Sequence, residues 1–65
     1  MLLNVNGEPT KTDATTLAGF LLNHGFENAV VATALNGAFV AKTARKSTQL
    51  AAGDQLEILA PMQGG

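Results

Sequence analysis

The dipeptide Asn-Gly occurs twice in this chain, as Asn6-Gly7 and Asn36-Gly37, each time between runs rich in strand-forming residues. A type I′ turn needs positive φ at both central residues, which Asn and Gly tolerate, so Asn-Gly between such runs specifies a two-residue hairpin. In the first hairpin Leu3 and Val5 share one face of residues 1–5, and residues 8–12 return with Pro9 among them. Proline has no N–H to give to a ladder, which places this second strand at a sheet edge. The second hairpin joins residues 30–35 to 38–41. Either Ala32 and Ala34 or Val31, Thr33 and Leu35 face the helix, and bulk favours the second set.

Between the hairpins, Asp13-Ala14-Thr15-Thr16 offers two helix N-caps, and Leu17, Phe20, Leu21 and His24 recur at helical spacing. Gly25 suits a left-handed helix end with Phe26 folding back on the last turn. So short a helix needs a sheet to cover its apolar stripe. Residues 42–49 are polar without a period and read as a loop holding at most one helical turn, with Leu50 as its anchor. After a turn at Ala52-Gly53-Asp54, Leu56 and Ile58 share one face of a last strand and Gln55, Glu57 and Leu59 the other. A hairpin, a helix and three further strands place the helix across one face of a mixed sheet, with the last strand beside the first. This is the α+β fold class in its β-grasp, or ubiquitin-like, form, with one main helix on a sheet of four to five strands.

The composition excludes several functions. With 65 residues the chain is near the lower size limit for an unstapled domain and leaves no room for a large cleft. There is no cysteine and one histidine, so disulfides and a Cys/His zinc site are ruled out. A net charge of −1 gives no reason to expect nucleic acid or an anionic membrane. No apolar run is long enough for a membrane span and no signal-like segment opens the chain, which makes the cytoplasm the expected location. No nucleophile-base pair, carboxylate pair or phosphate-cradling Gly-Lys motif occurs, so the chain is not expected to be an enzyme. His24, at a helix end with no second titratable partner at catalytic spacing, is expected to have a structural role and not to do acid or base work.

The sequence closes with Pro61-Met62-Gln63-Gly64-Gly65. Proline stops the last strand, and two glycines make the narrowest strand a chain can form, one able to slide a terminal carboxylate into a tight site on another protein. Residues 1–61 are thus expected to form the domain and 62–65 a flexible tail. Leu59, opposite Leu56 and Ile58, is a candidate apolar contact for a partner, a case that exposure of Leu35 or Phe39 nearby would extend. Lys42, Arg45 and Lys46 hold three of the four basic residues. They form either a solvated loop or a contact for an acidic partner surface.

The first hairpin, Thr-Thr-Leu-Ala-x-x-Leu at the helix start, Ala-Leu-Asn-Gly-x-Phe-Val at 34–40, Leu-x-x-Gly-Asp-x-Leu-Glu-Ile at 50–58 and the closing Gly-Gly occur in that order. Together they resemble the sulfur carriers of thiamine biosynthesis over essentially the whole chain. Family members often carry Pro and a basic residue after the second hairpin and an aromatic residue further on; this chain reads Ala41-Lys42-Thr43-Ala44-Arg45-Lys46 there.

The resemblance implies that the Gly65 carboxylate is adenylated by an E1-like, ATP-dependent activating enzyme. It is then converted to a thiocarboxylate by a persulfide sulfur donor and consumed by a thiazole synthase. Gly64 gives steric access to the partner's channel, while Gln63 and Met62 add backbone contacts and packing. Four extended residues reach about 13 Å, enough to thread a channel while the body docks outside. No cofactor is expected to reside on the chain, since ATP is used on the partner. Carriers for molybdopterin or tRNA thiolation end the same way, and a covalent protein modifier or a non-covalent β-grasp module are further alternatives.

Overall fold

The computed structural model describes residues 1–26 and 30–60. Both Asn-Gly pairs make the turns their chemistry dictates: φ is 52° and 84° at Asn6 and Gly7, and 51° and 86° at Asn36 and Gly37. Val5 accordingly faces Glu8 across the first turn and Leu35 faces Ala38 across the second. The first hairpin joins β1 (Leu2–Val5) to β2 (Glu8–Lys11), and the second joins β3 (Ala32–Leu35) to β4 (Ala38–Val40). The last strand, β5 (Gln55–Leu59), completes a five-stranded sheet in the order β2-β1-β5-β3-β4. It runs parallel to β1 and antiparallel to β3, so the last strand does lie beside the first. With one α-helix among the described residues, set against one face, the architecture is the β-grasp.

Pro9 sits where its missing donor costs nothing. The Val5–Glu8 pair closes a two-residue turn and is hydrogen-bonded, so the next pair, Asn4–Pro9, falls at a non-hydrogen-bonded position. Its nitrogen points out from the sheet edge that β2 forms.

The helix, α1 (Leu17–Asn23), is seven residues long. Of the two possible caps, Thr16 serves: its Oγ1 accepts from the Gly19 N–H at 3.1 Å. The Leu17 N–H, a first-turn donor with no partner inside the helix, donates to the Thr48 carbonyl at 3.0 Å. At the other end Gly25 has φ 82°. The Phe26 N–H donates to Leu21 O at 2.8 Å and the Gly25 N–H to Leu22 O at 3.4 Å, the two bonds of a Schellman closure. His24 is the C-cap residue, with its ring stacked on Phe20 at 4.1 Å between centroids. Two turns would not persist alone in water. Burial of Leu17, Phe20 and Leu21 in one cluster with Leu3, Leu56 and Ile58 supplies the stability.

The inward face of β3 carries Thr33, with Val31 and Leu35 packed against the core, as bulk requires. β3 starts at Ala32 and β4 ends at Val40, each shorter than the sequence runs suggest. The ladder with β5 opens at the Ala32–Leu59 pair, which leaves Val30 ahead of it and 81% exposed.

Residues 42–49 depart further from expectation. In place of a loop with at most one turn there is a 3-10 helix, η1 (Lys42–Ser47), of two turns. None of its residues is fully buried, and Ala44 is the apolar residue it packs against the core. Polar bonds fasten the rest. Arg45 Nε donates to Thr33 Oγ1 at 3.0 Å and its Nη2 to the Val31 carbonyl at 2.7 Å, while the Thr33 hydroxyl donates to Val40 O at 2.8 Å. Thr33, 2% exposed, is thereby satisfied as donor and acceptor and ties β4 and η1 to β3.

Thr33→Val keeps the shape and removes both bonds, leaving the Arg45 Nε without its acceptor. We expect a loss of about 1–3 kcal/mol in urea unfolding, much of it recovered by Thr33→Ser. An unchanged midpoint in the valine variant would show that Arg45 finds another partner at no cost.

Candidate functional site

The C-terminal end of β5 is where the chain leaves the sheet, and its position is set by two asparagine side chains. Asn36 brackets the start of the strand: its N–H donates to Gln55 O at 2.7 Å, its Oδ1 accepts from the Gln55 N–H at 2.9 Å and its Nδ2 donates to Asp54 Oδ1 at 3.1 Å. Asn6 brackets the end. Its N–H donates to Leu56 O at 2.9 Å, and its amide then exchanges two bonds with Ile58, Nδ2 to O at 3.1 Å and N–H to Oδ1 at 2.9 Å. The side-chain amide acts as one more peptide unit, continuing the parallel β1–β5 pairing after β1 has turned away. The opening turn is fixed by Asp54, whose Oδ2 accepts from the Ala51 N–H at 2.8 Å, and by Gly53 at φ 86°.

Beside this exit lies an apolar surface on the face opposite α1. Leu59, 65% exposed, pairs with Ala32; Ala34 pairs with Phe39, 74% exposed. Directly paired residues share a face, so Leu59, Ala32, Ala34 and Phe39 form one patch across β5, β3 and β4. Glu57, opposite Ala34 on β5, places a carboxylate beside it. At the strand end a hollow of about 350 Å³ is lined by Val30, Val31, Ala32, Leu59 and Ala60.

The candidates read from the sequence fall in three places. Leu59 is exposed as expected, and Phe39 joins it; Leu35 instead packs against the core. Lys42 and Lys46 are exposed on η1, whereas Arg45 is half-buried with its guanidinium committed to β3. Met62, Gln63, Gly64 and Gly65 lie outside the described residues, as does Pro61. The sequence reading missed the second job of Asn6 and Asn36. The available signal was the asparagine itself, since Asp-Gly or Gly-Gly would make the same turn without an amide that both donates and accepts. Among the described residues no group of His, Cys, Asp and Glu is placed to hold a metal, and no helix is long and apolar enough to cross a membrane.

The model of the ThiS family matches residues 3–65. The chain belongs to the ThiS family. This is the family of ubiquitin-like β-grasp sulfur carriers whose resemblance is legible in the motifs at 34–40 and 50–58. Solved structures agree. The crystal structure of a thiamine biosynthesis protein, ThiS, from Geobacter metallireducens is 32% identical, covers all of both chains and superposes with a TM-score of 0.84. A solution structure of a thiamine biosynthesis protein from the same organism is 30% identical, covering this whole chain and 88% of that one, with a TM-score of 0.79. No curated protein matches at the same stringency. In this ThiS-family chain the family match extends past β5 through Gly64 and Gly65.

Asn6→Gly retains a residue that accepts positive φ but removes the amide. We expect it to cost about 1–3 kcal/mol, from two lost bonds of roughly 0.5–1.5 kcal/mol each. Hydrogen exchange should speed up first at the Ile58 amide. Exchange there that is unaltered while the protein is destabilised would show that the amide does not hold the strand end.

Proposed function

We propose that the chain carries sulfur for thiazole formation in thiamine biosynthesis, through the carboxylate of Gly65. The family match that runs to residue 65, Gly-Gly included, is the observation that supports this most directly. A carboxylate is a poor electrophile because its leaving group would be oxide. An ATP-dependent activating enzyme converts it to an acyl-adenylate with release of pyrophosphate. A persulfide sulfur on a donor protein then displaces AMP, and a second thiol cleaves the resulting S–S bond, leaving a thiocarboxylate on Gly65 and a disulfide on the donor side. The thiocarboxylate sulfur is the nucleophile that a thiazole synthase consumes. In this scheme the chain is a substrate of cytoplasmic enzymes and contributes no catalytic group.

The body of the domain contributes placement. Asn6 and the Ala32–Leu59 pair hold β5 up to its last residue, so the tail departs from a fixed point. The patch of Leu59 and Phe39 beside that point is where we place docking of the activating enzyme and the synthase, and its apolar character suits a contact that must exclude water around a reactive acyl group. Met62 and Gln63 span the distance into the partner, and Gly64 fits the narrowest part of its channel.

Three variants test the scheme. Gly64→Val is expected to fold normally and lose adenylation, read as ATP–pyrophosphate exchange with the activating enzyme; exchange at the normal rate would remove Gly64 from the channel. Leu59→Glu and Phe39→Glu, both at exposed positions, should leave the melting temperature within a few degrees and raise the KM of adenylation roughly tenfold or more, the loss of about 1.4 kcal/mol of docking energy. The decisive measurement is the intact mass of the protein from its own cells. A form heavier by the difference between sulfur and oxygen, localised to Gly65 and missing from a chain that lacks it, is the expected result; a chain without Gly65 that still accepts sulfur would end the proposal.

A further inference from the structure

On the helix side of the molecule, away from the Leu59 and Phe39 patch, α1 and η1 leave a trough between them. Its volume is about 360 Å³. Leu22 and Phe26 supply an apolar wall, Ala18 keeps the helix side low, and Lys42, Arg45 and Lys46 line the opposite bank. Leu22 is 54% exposed although it belongs to a helix whose other leucines are buried, so its side chain is spent on this surface and not on the core. Three of the chain's four basic residues line this one feature of a protein whose net charge is −1, and among the described residues no acidic side chain lines it.

We propose that this trough is a second docking surface, and that it takes an acidic, amphipathic segment of a partner protein. Charge complementarity selects that occupant. Lys42 and Lys46 are exposed, and Arg45 directs its Nε and Nη2 to Thr33 and Val31; the two lysines are therefore the mobile cations available to carboxylates on an incoming chain. Leu22 and Phe26 receive that chain's apolar side chains. Leu22, Lys42 and Lys46 on its banks are exposed, which suits a segment laid into the trough, as an amphipathic helix lies in a groove, better than a small molecule that needs enclosure. Because α1 and the Leu59 patch lie on opposite faces of the sheet, a partner can occupy the trough while another holds the patch. The surface stands independently of the chemistry at Gly65.

The experiment is a titration of isotope-labelled full-length protein, followed by amide shifts, with a short peptide carrying Leu and Phe at i and i+4 between glutamates. A peptide with lysines in place of the glutamates is the control. The expected result is saturable shifts at Ala18, Leu22, Phe26, Lys42 and Lys46 with the acidic peptide and none with the basic one. Affinity should fall as salt is raised, because exposed charges are screened over about 10 Å at 0.1 M. The double variant Lys42→Glu, Lys46→Glu should bind roughly tenfold more weakly or worse, each lost ion pair being worth a factor of a few. Leu22→Gln, which preserves helix propensity, should weaken binding separately at an unchanged melting temperature. Shifts centred on Phe39 and Leu59, equal binding of the two peptides, full affinity in the charge-reversed variant, or no saturable shift at all would each overturn the proposal.

Discussion

The fold depends on one strand that arrives last. The two hairpins do not pair with each other: β1 and β2 form one ribbon, β3 and β4 another, and β5 is the strand that joins them. Until residues 55–59 are in place there is no sheet for α1 to cover, and the buried positions of that strand, Leu56 and Ile58, have no core to enter. The domain therefore closes through contacts between residues far apart in sequence, the costly kind in chain entropy. The amides of Asn6 and Asn36 answer that cost at the two ends of the strand, by bonds from turns that are already formed locally.

That arrangement divides the labour of the small surface. One face of the sheet is given to α1 and the core; the other keeps Leu59, Ala32, Ala34 and Phe39 in water. Exposing a leucine and a phenylalanine together is costly to solubility in a domain of this size, a cost that the docking role we propose for the patch would explain. The edges of the sheet are guarded differently, β2 by Pro9 and β4 by being only three residues long, so neither edge invites pairing with another chain. Interaction is thus directed to side chains on a face and not to unpaired backbone.

Much of this was legible in the sequence because the signals were local. Asn-Gly forces the same turn wherever it sits between strands, Pro9 needs an edge, and Thr16 and Gly25 fit one end each of a two-turn helix. The two faces of β5 follow from its alternation. What escaped was held by bonds between distant residues. Nothing around Arg45 shows that its guanidinium reaches back to Thr33 and Val31, so η1 read as a loop: a 3-10 helix anchored by polar bonds has no apolar period to detect. Bulk alone groups Thr33 with Val31 and Leu35, yet its hydroxyl is the acceptor that Arg45 requires. The same holds at the site, where Leu59 declared itself by alternation, while its company with Phe39 depends on the register of three strands.

The central place of β5 also has a mechanical consequence. A partner that draws the chain outward at Ala60 pulls along the axis of β5, which is bonded to β1 on one side and β3 on the other. Load applied in that direction shears both ladders and the Asn6 clasp together, so no single bond can be peeled before the next. Had the chain ended on an edge strand such as β4, the same pull would have unzipped it rung by rung. A tail attached to the middle of the sheet can be put under tension while the body that carries it stays rigid.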